Sequence, residues 1–426
     1  MNADPGILRA PGFLRENARW LLAGLMLTLG SSFGQTFFIS VFSGDIRAAF
    51  DLSHGDFGGI YMAGTLASAA AMLLAGRIVD VWTPRLAGMV VLAGLAVTCA
   101  MAAITTSAFF LFVIIFGLRF FGQGMATHVA MTAMGRWYSR QRGRAVAIAG
   151  LGHQIGQATL PPLAVALALA IGWRETWLIS AGALLVLAMP ALYLLLSVDR
   201  VPTSLQQTGV DLPEIHQWTR SEVVRDPVFW AINLGFLAPP FMGTAIYFHQ
   251  VHIVETKGWQ LVWFVGAYPL HAGMTVIASL IAGWITDRWG STRLLPTFSL
   301  PLAAALIVLA AVDSWIAIPV FMILMGVNSG VTVTVLGALW PEIYGIRYLG
   351  AVRSLVFAAM VFASALGPGI VGWLIDWSVS IETQIYVMAA YCLAVSPIMA
   401  LAAGQLRARR PQGTLPPAGK RTRGAP

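Results

Sequence analysis

Long apolar runs alternate with short polar breaks along this chain. Roughly twelve runs approach or exceed 20 residues: 19–42, 56–76, 86–105, 108–133, 144–171, 175–197, 227–251, 261–284, 294–312, 315–339, 353–376 and 383–405. A helix of about 20 residues crosses a ~30 Å hydrocarbon core. Porin strands alternate in polarity and last only about ten residues, which these runs do not match. A lone spanning segment can pair its own backbone groups only as a helix, so each run predicts a spanning helix. The first run is read as a retained span, since it is too long for a signal peptide and no A-x-A site follows it. One break is long: 198–226 carries two prolines and eight charges, with six runs before it and six after. The expected organisation is a cytoplasmic lead (1–18), a six-helix bundle (19–197), a cytoplasmic central loop (198–226), a second six-helix bundle (227–405) and a basic, disordered cytoplasmic tail (406–426).

Composition supports lipid as the solvent. Only 10% of the 426 residues are charged and 58% are hydrophobic, whereas a soluble domain carries about a quarter charged residues. Charge also predicts orientation. Of the 26 Lys and Arg, 22 fall in the N-terminus, the even-numbered connections and the C-terminal tail. Only Arg47, Arg174 and Lys257 fall in odd-numbered connections, and Arg119 lies inside a span. Positive loops stay cytoplasmic, so both termini are expected there, in a multi-pass protein of the inner or plasma membrane. The net charge of +8 is then topological. It calls for no nucleic acid, although the tail is suited to anionic lipid headgroups. Cys99 and Cys392 lie in apolar runs and suggest neither a disulfide nor a metal site.

The chain repeats itself. "GRIVDVWTPR" (Gly76 to Arg85) returns 207 residues later as "GWITDRWGSTR" (Gly283 to Arg293). "WYSRQRGRAVA" (Trp137 to Ala147) is echoed at an offset of 206 by "IYGIRYLGAVR" (Ile343 to Arg353). Parallel six-helix halves related by an axis along the membrane normal are a transporter architecture. The G-x-x-x-D hairpin with its Arg, its weaker copy, the basic 4–5 connection, "GWR" at Gly172 and "LGPGIVGWLID" at Leu366 together resemble the major facilitator superfamily. The resemblance covers all twelve spans. "RWYSRQRGRAVAIAGLGHQIG" is similar to the span 4–5 signature of the monocarboxylate and oxalate-type branch. The implied fold is all-α and integral to the membrane, with twelve spanning helices in two bundles related by pseudo-twofold symmetry. A monomer is the default.

The hairpin acquires a role as a gate. Asp80 lies at the cytoplasmic end of span two, where the positive N-terminal end of span eleven begins. Asp80 is expected to cap it, with Arg85 holding the carboxylate. Asp287, with Arg293, is expected to serve the start of span five in the same way. The alternative is a pair that merely anchors a turn at the headgroups.

No acid lies deep in any span, yet Arg119 sits about eleven residues, or roughly 16 Å, into span four. An ionisable group at that depth normally faces a cavity or a partner. The resemblance implies that spans 1, 4, 7 and 10 line a central cavity. It also implies an Arg followed by Gln-Gly in span four; "RFFGQG" matches with one extra residue. Three readings stay open for Arg119: a two-point hydrogen bond to an anionic substrate, a packing role toward backbone carbonyls, or control of a neighbouring proton relay. His271 and His153 are proton-carrying candidates, because imidazole titrates near neutrality; each is also suited to helix-helix bonding. Gln35, Gln157, Tyr247, Tyr268 and Asn328 are further cavity candidates, and Asn233 is weighed with them. His128 is read as structural. His249 and His252 are expected at a wet outer rim. Pro239 and Pro240 are expected to break span seven.

Neither a metalloprotease, a P-loop nor a nucleophile-elbow motif occurs, so no enzyme, cofactor or metal is indicated. The reading is a secondary transporter that moves a small organic anion, monocarboxylate-like, by alternating access with proton coupling. The alternatives are a proton-coupled exporter of amphipathic compounds, which usually needs a buried acid, and a transporter-like sensor. Asp80→Asn is expected to insert normally but lose net transport. Wild-type uptake by that variant in proteoliposomes would remove the gating role.

Overall fold

The computed structural model describes residues 10–76, 78–138, 141–198, 200, 216–345 and 347–409, without the side chains of residues 10–12, Asp80 and Arg142. Regular structure among them is entirely helical. Eleven helices are long and apolar enough to cross a membrane, or twelve if one bent pair counts as a single span. In chain order α1 is the bent pair, Phe13–Gly34 and Thr36–Phe50. There follow α2 (His54–Ala75), α3 (Pro84–Ile104), α4 (Ala108–Trp137), α5 (Gly143–Ile171) and α6 (Trp173–Leu195). The second set is α7 (Pro227–Phe248), α8 (Leu261–Trp289), α9 (Ser291–Ala311), α10 (Ala317–Tyr344), α11 (Leu349–Asp376) and α12 (Ile381–Arg409).

Two local expectations change. The first run is not one straight helix: it bends by 48° at Gln35, whose backbone is extended (φ −87°, ψ 152°). The residues there are "GSSFGQT". Glycine has poor helix propensity, and serine hydroxyls compete for backbone groups; the Ser31 hydroxyl donates to the Thr28 carbonyl at 2.6 Å. Conversely, Pro239 and Pro240 do not break α7, which runs unbroken through them. Prolines survive inside spanning helices where surrounding elements compensate for the lost backbone bonds.

The chain gathers into two compact units. The first holds α1–α6 with Phe241–Ala272 and Val361–Ile381. Its core includes edge-on stacking of Phe38 and Phe42 against each other and of Phe38 on Trp177. Close by in sequence, Phe57 stacks on Phe248 with ring centroids 5.1 Å apart. The second unit holds 216–240, Gly273–Met360 and 382–409. Phe229, Phe236, Phe298, Trp340 and Met399 anchor its core.

The described part of the central loop is tied into the second unit. Thr219 and Glu222 form a capping box at the start of the short helix Arg220–Arg225. The buried Asp226 that follows accepts two bonds from the Arg409 guanidinium, at 2.8 and 3.0 Å. It also accepts from the Val228 N–H at 3.1 Å and the Tyr344 hydroxyl at 2.9 Å. Burial pushes the Asp226 pKa up, but these bonds outweigh it and hold the carboxyl below its ordinary value. Such a group stabilises the fold above its unfolded pKa of about 4, and the contribution is lost as pH falls through the folded value. Asp226→Asn is therefore expected to cost about 2 kcal/mol near neutrality, since a two-point charge-assisted pair is lost but Arg409 is partly exposed. Thermal melts of the purified protein should show the gap between wild type and variant closing below about pH 4.

A buried arginine at the bend of the first helix

The bend in α1 and a widened stretch of α4 meet. From Leu118 to Ala126, α4 is π-helical. A π turn holds an extra residue without ending the helix and recurs at functional sites. Gly34 and Gly122 lie back to back at the contact. A Cβ on Gly34 would stand 2.0 Å from the Leu118 carbonyl oxygen, and one on Gly122 would stand 2.6 Å from the Gly34 Cα. Two backbones can approach this closely only without side chains.

Arg119 enters this junction and is only 2% exposed. Its Nη1 reaches the Gly34 carbonyl at 3.4 Å and the Thr36 hydroxyl at 3.3 Å. Both are long for hydrogen bonds, whose usual N···O distance is about 2.9–3.0 Å. The guanidinium lies 5.3 Å from the Tyr61 ring centroid, and the Tyr61 hydroxyl shares a 2.7 Å bond with Thr36. Among the described residues the Arg119 Nε has no hydrogen-bond partner, and no carboxylate pairs with the guanidinium. Tyr61 and Thr36 were not singled out in the sequence, where neither carries a motif; only the bend brings them to the guanidinium.

A second polar cluster occupies the same unit. Tyr247 packs 5.5 Å from Tyr268 and 6.0 Å from His271, measured between ring centroids. Phe37 lies between Tyr268, at 6.2 Å, and His153, at 5.6 Å. The Tyr268 hydroxyl donates to Gln250 Oε1 at 2.9 Å, while Gln250 Nε2 donates to the Ser40 hydroxyl at 2.9 Å. Gln250 is fully buried and was also absent from the sequence reading. Gln35 and Gln157 are buried in this unit, Gln35 at the α1 break and Gln157 on α5.

Other candidates fall elsewhere. Asn328 and Asn233 belong to the second unit. Asn328 donates to the Phe298 carbonyl at 3.1 Å, and Asn233 donates to the Phe229 carbonyl at 2.8 Å. His128 bonds the Gly76 carbonyl at 3.1 Å. His249, expected to be wet, is instead buried and bonds the Pro368 carbonyl at 3.1 Å; α11 covers the rim position that hydropathy left open.

Of the gating residues, the Asp80 side chain lies outside the described residues. Arg85 stacks 3.7 Å over the Tyr193 ring. Asp287 and Arg293 are exposed. The second hairpin turns at Gly290, whose φ of +84° is a conformation that favours glycine. It is pinned by Glu342, which accepts from the Ser291 N–H at 2.9 Å and from its hydroxyl.

Among the described residues the chain is all-helical, with eleven helices, or twelve with the bent pair, long and apolar enough to cross a membrane. The family comparison makes that specific: the family model for the Major Facilitator Superfamily matches residues 24–312 and 263–425. The chain belongs to that superfamily, whose members are secondary transporters. Among curated relatives it is 24% identical over 291 residues to an uncharacterized 38 kDa protein in the 23S RNA operon of Thermoproteus tenax, covering 68% of this chain and 70% of that one. It is 27% identical over 246 residues to the MFS transporter asaE of Aspergillus flavus, covering 56% and 52%. With the membrane sensor protein UhpC of Salmonella typhimurium it shares 28% identity over 193 residues, covering 42% and 43%. The chain thus spans about half the length of the latter two. A bacterial homolog of the human lysosomal transporter Spinster, solved inward-facing and unoccupied, superposes with a TM-score of 0.74 at 14% identity, covering 93% of this chain and 99% of that one. The fold is the major facilitator fold.

The Gly34–Gly122 approach gives a direct test. Gly34→Ala is expected to force α1 from α4 at a cost of about 1–3 kcal/mol, read as a lower melting temperature. Gly182→Ala, where nothing lies within 4 Å of the added Cβ, should leave the melt unchanged.

Proposed function

We propose that this superfamily member carries a small organic anion, with a monocarboxylate-like acid as the substrate class. One observation supports the reading above the others: Arg119 is buried without an acid partner among the described residues, and its existing bonds are long. A charge held in low dielectric favours a counter-charge strongly. A carboxylate is planar and takes two parallel N–H donors, for which the unpartnered Nε offers one. Gln35, Gln157, Tyr247 and Tyr268 are the polar groups proposed to orient the rest of the substrate. Tyr61 and Thr36 join them as residues that aim the guanidinium.

Proton symport is the proposed coupling. An anion entering against an inside-negative potential gains when a positive charge travels with it. His271 and His153 are the proposed carriers of that proton. Cytoplasmic termini, residence in the cell membrane and a monomeric state complete the proposal, and the pairing of Asp80 with Arg85 and of Asp287 with Arg293 remains the proposed gate on the cytoplasmic side. An exporter of cationic amphipaths is less well supported, because no acid sits deep in a span to attract such a cargo.

Purified protein in proteoliposomes, offered a panel of labelled small acids across an imposed pH step, tests this. A monocarboxylate should move with the proton out of the acidic compartment and accumulate in the more alkaline one, and an ionophore that collapses the proton gradient should stop it. Arg119→Gln should weaken substrate binding by about ten- to a hundredfold, the range for losing a hydrogen bond to a charged group. Arg119→Lys, which keeps the charge but not the planar fork, should recover only part of it. Full uptake by Arg119→Gln would end the anion assignment.

A further inference from the structure

α2 begins where α11 ends. Asp376, the last residue of α11, accepts from the Gly55 N–H at 2.8 Å and from the Ser53 hydroxyl at 2.7 Å. Gly55 is the second residue of α2, a helix of 22 residues. The carboxylate therefore lies on the first turn of α2, where open N–H groups carry partial positive charge. The chain makes room for it: a Cβ on Gly55 would stand 2.4 Å from the Asp376 Oδ2.

This contact is not needed to start α2. Ser53 and Asp56 already form a complete capping box, with the Asp56 N–H donating to Ser53 at 2.9 Å and the Ser53 N–H donating to Asp56 at 3.1 Å. Asp376 is an additional acceptor brought from 321 residues away. What it adds is attachment of α11 to α2. Neighbouring contacts bring the end of α7 and the segment after it against α2, α11 and α1. The ring of His54 lies 4.4 Å from that of His252, and His249 bonds the Pro368 carbonyl. Gln250 bonds Ser40, and Phe57 stacks on Phe248 behind them. All of these residues belong to the first compact unit.

We propose that Asp376 and the first turn of α2 form a latch that must break for this end of the carrier to open, so that its strength sets the balance between the two access states. The Asp80 hairpin suggests a carboxylate at the end of α2 serving the start of α11. Asp376 is the reciprocal device at the opposite end of the same helix pair. A secondary transporter needs both ends to be breakable, and a carboxylate on a helix start is a contact that can be broken and remade. A ligand shifts such a balance only by its differential affinity for the two states, so a weaker latch acts without touching substrate.

The test reads accessibility, with no substrate present, and so stands apart from the anion assignment. Ser43 is 5% exposed and lines the gap behind the latch with Arg47, His54 and His249. Ser43→Cys is introduced in the full chain after Cys99→Ala and Cys392→Ala, reconstituted in liposomes, and labelled with a membrane-impermeant thiosulfonate. With Asp376 intact, labelling should be slow. Asp376→Asn should speed it by about tenfold, the factor expected from losing one charge-assisted contact, with the melting temperature little changed. Ser53→Ala, which removes one of the two donors together with the side-chain cap of α2, should give a smaller acceleration, while Asp56→Ala, which breaks only the capping box, should leave the rate unchanged. If Asp376→Asn fails to fold, Ser53→Ala carries the test alone. An unchanged labelling rate in the folded Asp376→Asn protein, or in Ser53→Ala where it stands alone, overturns the latch.

Discussion

A hydrocarbon core offers a peptide group no partner except another protein group, and this constraint organises the molecule. Helix interiors satisfy themselves, so the difficulty collects at breaks and ends. There the chain uses its few cations. Arg174 donates to the Ala103 and Thr105 carbonyls at the end of α3, at 2.9 and 2.6 Å. Arg19 donates to the Leu194 and Leu195 carbonyls at the end of α6, at 2.9 Å each. Arg136 reaches the Val79 carbonyl at 2.7 Å, beyond the end of α2. Carbonyl-bearing helix ends attract positive charge. These arginines thus close helix ends on both the even- and the odd-numbered connections.

Arg119 is the member of this group that fits least well. It too bonds a carbonyl freed by a break, that of Gly34. Unlike the others it lies far from any helix end of its own, its bonds are long, and its Nε has no hydrogen-bond partner among the described residues. A packing role accounts for its contact with the α1 bend. It does not account for placing a permanent charge, rather than a neutral amide, where no acid pairs with it among the described residues. The anion proposed above would supply the missing counter-charge, so the packing and substrate readings of this residue are compatible.

Acids follow the complementary rule, at N-termini. Glu342 holds the start of α9, Asp226 the start of α7, and Asp376 the start of α2. Each carboxylate accepts from N–H groups that the helix start leaves open.

The all-helical build, the positions of eleven apolar helices and, among the described residues, the separation of Arg119 from acids were legible along the chain. Hydropathy is a property of each segment against its solvent, so it survives without knowledge of neighbours. The Gln35 bend, the π turn, the unbroken α7, the burial of His249, and the approach of Tyr61 and Thr36 to Arg119 were not. Each depends on which helix stands beside which: Gly122 accepts the α1 backbone, and Pro368 covers His249. Asp376 shows the division most plainly. In sequence it is one more acid at the end of a span, and only the packing of α11 against α2 turns it into a bond with Gly55.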